Sequence, residues 1–160
     1  MLQLCQWLDQ TSIGTAIRQS LWLFPALETI HLLGMSALVG TITVLDLRLL
    51  GWAARRQRVS DLAERLIPWA WIGFAVQIIT GTLLFSSEAV KIYGNPAFRL
   101  KMLLLLLAGF QALIFQTVIS PRLSAWDERS RLPLAAKITG AISILLWLSI
   151  VTAGRFIGFV

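Results

Sequence analysis

Charge, thiol and imidazole are all scarce in this sequence. Only 14% of its 160 residues are charged, and it holds one Cys, one His and one Tyr. A soluble domain of this length needs far more polar surface. The single Cys5 excludes an intramolecular disulfide, and no CxxC or Cys/His zinc spacing exists; an ordinary thiol at a membrane interface is expected there. No nucleophile–base arrangement, phosphate loop or hydrolytic motif is legible. On the enzyme side, that leaves at most a redox or electron-transfer role.

What the chain has instead is apolar bulk. Hydrophobic residues make up 57%, with seven Trp and eight Phe, and the mean hydropathy is +0.76. Four apolar runs are each long enough for a hydrocarbon core of roughly 30 Å at about 1.5 Å rise per residue. They cover about 21–45, 66–85, 97–119 and 134–156. The reading is all-α: a polytopic membrane protein with an antiparallel four-transmembrane-helix bundle. Pro25 and Pro68 fall in first turns, where a missing amide donor costs least. Gly94-Asn95-Pro96 marks a turn, and Pro121 ends the third run. Residues 1–20 are amphipathic and too polar to span. They predict one or two interfacial helices, with Leu4, Leu8, Ile13, Ala16 and Ile17 as apolar residues and Trp7 as an anchor. Lacking a basic leading region and a cleavage site, this segment is expected to be retained.

The net charge of +6 follows from arginines in short loops beside apolar runs, so positive-inside topology explains it and nucleic acid is set aside. Arg55, Arg56, Arg58 and Arg65 lie between runs one and two, with Arg48 just before them. Arg122, Arg129, Arg131 and nearby Lys137 lie between runs three and four, in a loop that also holds Trp126, Asp127 and Glu128. The remaining loop has Lys91, Arg99 and Lys101. Loops one and three are therefore expected inside and both termini outside.

One polar group inside the apolar runs calls for a partner. Glu28 and His31, at i and i+3, share a helix face in the outer third of the first run. A charge at a helix centre costs about 2.5–3.5 kcal/mol on insertion scales, and less towards the interface. Antiparallel neighbours bring Lys101, Arg155 and Glu88 to similar depth, so Glu28, His31, Lys101 and Arg155 are expected to converge. Gln77, Gln111 and Gln116 lie deeper, as a polar ladder or as helix-to-helix bonds. Haem b in a helical bundle needs an axial imidazole, cations for its propionates and apolar walls. His31 is the axial candidate and metal ligand, with Lys101 and Arg155 for propionates, Glu28 to orient the ring and Met102 as an opposite ligand. Met35 lies on His31's own helix and cannot cross a haem. A copper site built from Cys5, His31, Met35 and Met102 fits no known spacing. The plainer reading is structural: cations that snorkel, Glu28 as glue and a His bonded to backbone. Gly154 and Gly158 form a GxxxG, and Ala136 and Gly140 a small-xxx-small pair. These suit a homo-oligomer or a larger membrane complex.

Four stretches carry a resemblance: Pro25-Ala-Leu-Glu28-Thr-Ile-His31-Leu-Leu-Gly34, Asp46-Leu-Arg48-Leu-Leu-Gly51, Asn95-Pro-Ala-Phe-Arg-Leu-Lys101, and Ala153-Gly-Arg155-Phe-Ile-Gly158. Together they resemble a family of small bacterial four-helix integral membrane proteins of unknown function, over nearly the whole chain. The resemblance implies the fold and a bacterial inner (cell) membrane, and carries no chemistry. Its pattern has a His near the inner end of the third span, where this chain has Gln116. The resemblance thus implies that a second imidazole ligand is missing here.

Three functions are consistent with the sequence: a cofactor-binding protein centred on His31, a non-catalytic accessory or assembly subunit, and a small channel or transporter. The orientation is directly testable. In intact cells, an impermeant thiol reagent should modify a cysteine placed at Asn95 and spare one placed at Gln57, and the reverse pattern would invert the topology.

Overall fold

The computed structural model describes residues 2–127 and 132–159. Glu128, Arg129 and Arg131 of the third loop, and the side chain of Leu4, lie outside the described residues. The regular elements of the described residues are all helices: α1 Leu2–Asp9, α2 Ser12–Gln19, α3 Leu23–Leu50, α4 Val59–Ser87, α5 Ala89–Tyr93, α6 Pro96–Ile114, α7 Leu123–Asp127 and α8 Leu134–Phe156. A π-helical turn (Phe115–Ile119) and a 3-10 turn (Ser120–Arg122) join α6 to α7. Among the described residues, four helical stretches are long and apolar enough to cross a membrane: Leu23–Leu50, Val59–Ser87, Pro96–Asp127 and Leu134–Phe156.

Local chemistry sets the boundaries. Thr11 caps α2 by accepting from the Gly14 amide at 3.2 Å. Asn95 accepts from the amides of Ala97 and Phe98, with Pro96 in the first turn of α6, where its missing N–H is harmless. Gly51 closes α3 in the left-handed region at φ 79°, and its amide reaches back to the Arg48 and Leu47 carbonyls. α4 starts without a local side-chain cap. Asp127, far along the chain, supplies one: its carboxylate accepts from the Val59 amide at 2.6 Å and from the Ser60 amide and hydroxyl at 3.1 and 2.6 Å.

Two boundaries differ from the sequence expectation. The arginine-rich segment 53–65 is not all loop, because α4 begins at Val59. Val59, Leu62 and Ala63 recur at helical spacing and are buried, while Asp61, Glu64 and Arg65 face outward. Pro68 consequently sits inside the helix, not in its first turn. Its missing N–H releases the Glu64 carbonyl, and both residues are on the exposed side. Pro121 also fails to end the third helical stretch. The tighter 3-10 turn takes in its missing donor, and one more α turn follows. That turn buries Leu123 and Trp126 against Leu45, Leu49, Val59, Leu62 and Ala136, forming an apolar cluster at one end of the bundle.

In the bundle, α3 packs against α4 on one side and α8 on the other, and α6 packs against α8. All three pairings are antiparallel, as Leu38 beside Gly73 and His31 beside Gly81 show for α3 and α4. The helices meet at near-backbone distance. A Cβ at Gly34 would stand 2.6 Å from Val76 Cγ1, and one at Gly140 would stand 2.9 Å from the Asp46 carbonyl oxygen. α4 and α6 touch through the stacked rings of Phe85 and Phe98, 5.2 Å apart and 9° from parallel. The amphipathic α1 and α2 dock on the far corner, α1 against α5 and α2 against α4. The Arg18 guanidinium holds that corner, donating to Asp9 Oδ1 at 2.7 Å and to the Ser87 carbonyl at 3.1 Å. Trp7 remains exposed, whereas Cys5 and Ile17 are buried, so the thiol expected at an interface is packed inside the protein.

Gly140→Ala should lower stability by about 1–3 kcal/mol, because the added methyl meets backbone that cannot turn away. Gly40→Ala, with nothing within 4 Å of its Cβ position, should be neutral or gain up to about 1 kcal/mol of helix propensity. Thermal unfolding in detergent compares the two, and an equal response would refute the close-approach account.

Candidate functional site

His31 projects from α3 onto α4. Its Nδ1 lies 2.7 Å from the Thr80 Oγ1, and the Thr80 hydroxyl points at the Val76 carbonyl at 2.6 Å. A hydroxyl has one proton. With that proton on Val76, the Thr80 oxygen accepts from His31 Nδ1–H, and the imidazole keeps a lone pair on Nε2. The residue is held at its backbone too, since the Gln77 side-chain amide donates to the His31 carbonyl at 2.5 Å. Thr80 is buried and His31 half-buried, so an unmatched ring donor there would be costly.

Lys101 reaches the same level from α6. Its stem lies along Gly154 of α8, where a Cβ would stand 3.4 Å from Nζ. Among the described residues the ion pairs are Arg18–Asp9 and Lys91–Glu88, so the Lys101 ammonium meets no carboxylate there. Glu28 is exposed, one turn from His31, with no cation paired to it among the described residues. The Arg155 guanidinium turns to the Phe159 ring, 5.5 Å from its centroid. Met102 is 45% exposed, next to Lys101 in the chain and on another face of α6. Glu88 pairs with Lys91 in its own loop at 3.4 Å. Gly154 lies against Lys101, and Gly158 follows the end of α8. Among the described residues, no three His, Cys, Asp or Glu side chains gather as a metal-holding group.

The glutamines do not form a ladder. Gln77 bonds α4 to α3, and Gln111 bonds α6 to α8 through the Thr139 carbonyl at 3.0 Å. Gln116 is exposed.

Sequence reasoning missed Asp46. The first run was expected to end at about residue 45, just before it, but α3 continues to Leu50 and Asp46 is only 4% exposed. It packs against Gly140 of α8, with Ser143 beside its carboxyl group, and its Oδ2 has no hydrogen-bond partner. A signal for this was present: Gly51 is the natural helix stop, which puts Asp46 more than a turn inside, between Leu45 and Leu49.

Thr80→Val should cost about 1–3 kcal/mol by leaving the imidazole N–H unmatched, and Thr80→Ser should retain most of that stability. Thermal melts of the two variants in detergent decide whether the hydroxyl or only its volume matters.

Comparison with known proteins yields one relationship. No curated protein and no solved structure matches the chain. A family model described as a family of unknown function, DUF6644, matches residues 10–160. That match includes all four spans with Glu28, His31, Asp46, Thr80, Lys101 and Arg155, and the chain belongs to this family.

Proposed function

We propose that the chain is a multi-pass protein of a bacterial inner membrane, both termini outside, that holds haem b at His31 near the outer surface in a redox role. One observation carries this reading: an imidazole fixed through Nδ1 with Nε2 left free. That is how a ligating His is usually oriented, with its other nitrogen hydrogen-bonded. Haem suits the donor set better than a bare metal ion does. The porphyrin brings four ligand nitrogens of its own and asks the protein for one or two axial ligands, while His31 stands without a cluster of further ligand side chains among the described residues. The Lys101 ammonium, in no ion pair among the described residues, supports the reading as a partner for an acid group such as a propionate. Of the other residues expected to take part, Glu28 is exposed, Arg155 lies over Phe159 and Met102 is 45% exposed, so His31 and Lys101 bear the proposal. When bound, haem b supplies one-electron transfer. The chain's own part is to hold the ring, fix its tautomer and offset the propionate charge.

A second reading, an accessory or assembly subunit, is favoured by the same residue. His31 joins α3 to α4 through both its ring and its carbonyl, which is the work of helix-to-helix glue. The two readings part in the visible spectrum. Protein from cells supplied with haem precursor should show a Soret band that disappears in His31→Ala while the helical signal in circular dichroism survives. A colourless preparation, destabilised by His31→Ala, would overturn the haem reading and favour the accessory role.

A further inference from the structure

Beyond the His31 level, a second polar position lies in the other half of the bundle, where a cavity of about 510 Å³ opens between helices. Its floor is α3 and α8 and its walls are α4 and α6. Asp46 lies on the floor, 4% exposed, with Oδ2 unpartnered. A buried carboxylate oxygen without a partner is expensive, and such groups in native structures call for an explanation.

The rest of the lining indicates what would satisfy it. Among the described residues, no Lys, Arg or His lines the cavity, so the acid has no counter-ion from the protein. Of the polar side chains in the lining, Ser143 stands beside the carboxyl group and Gln116 is exposed, while Thr41, Thr139 and Gln111 have already used protons elsewhere. The Thr41 hydroxyl donates to the Ala37 carbonyl at 2.8 Å, the Thr139 hydroxyl to Ala135 at 2.9 Å, and the Gln111 amide to Thr139 at 3.0 Å. Both threonines therefore present lone pairs. A carboxylate and hydroxyl oxygens with spent protons favour a donor with positive charge. Around them the surface is apolar and aromatic, with Trp71, Phe74, Phe115 and Trp147. Such rings attract cations over their faces. The volume lies within the range of roughly 300–1,000 Å³ for small-molecule sites.

The approach is sideways. Trp71 on α4 is 54% exposed and Leu113 on α6 is 59% exposed, and in a spanning bundle this outer surface faces lipid. The occupant must therefore be soluble in the bilayer. We propose that the cleft between α4 and α6 is a binding site for a lipophilic amine, its ammonium on Asp46 and its apolar body between Trp71 and Phe115. This does not depend on haem at His31.

Radiolabelled dodecylamine serves as the probe, its binding to the full chain in phosphatidylcholine nanodiscs measured above that to empty discs. Binding should saturate at one site, and the neutral dodecanol should compete at least tenfold more weakly. Asp46→Asn, which keeps the shape and removes the charge, should weaken binding tenfold or more. Trp71→Ala, trimming a partly exposed wall, should weaken it about threefold with the fold intact by circular dichroism. If dodecanol competes as well as the unlabelled amine, the cleft takes alkyl chains irrespective of charge and the proposal fails. Unchanged binding to a folded Asp46→Asn overturns it equally. Should that variant not fold, the comparison of amine with alcohol on the unaltered protein decides.

Discussion

The polar interior of this bundle depends on how closely α3 approaches its two neighbours. At Gly34 and Gly140 there is no space for a Cβ. Without that approach, the His31 ring, one turn from Gly34, would not reach Thr80, and Asp46 would not be pressed against the α8 backbone. Association in lipid lacks the hydrophobic drive available in water, and small residues that let backbones close in replace it with packing and interhelical hydrogen bonds. The bonds from His31, Gln77 and Gln111 follow from that geometry and in turn hold it.

The two halves of the bundle have opposite hydrogen-bonding character. At the His31 level stand an N–H donor, an ammonium and a lone pair that faces no carboxylate. At the Asp46 level stand an orphan carboxylate oxygen and the Thr41 and Thr139 hydroxyls, whose protons are spent on their own helices. On an antiparallel register these levels are about twenty ångströms apart at 1.5 Å per residue, too far for Lys101 and Asp46 to neutralise one another. Each charge is left to be matched locally, by solvent, lipid or a guest.

The fold was largely legible in the sequence because the bilayer imposes one dominant signal: long apolar runs separated by charged or turn-forming segments. Each run overlaps one of the four long helical stretches, but the ends were harder to place, and α3 starts at Leu23, two residues into the first run. Counting charge made 53–65 a loop, although Val59, Leu62 and Ala63 already had helical spacing and a partner surface in Leu123 and Trp126. The cap that starts α4 was invisible in sequence, since Asp127 is brought to Val59 by the tertiary fold. For the site, equal depth could not tell which way side chains turn. Arg155 lies over Phe159, and Met102 is one residue, about 100° of helix, from Lys101. Asp46 was overlooked because the first charge after an apolar run was read as its end.

Between α4 and α6 the chain builds something like a window frame. One crosspiece is the Phe85–Phe98 stack, the other the Asp127 carboxylate clasping Val59 and Ser60, and between them the jambs stand apart around the cavity. A frame fastened at top and bottom cannot swing like a door. It discriminates among visitors by girth and bluntness, since a slender body can slip in edgewise while a broad one meets two posts that are tied at both ends.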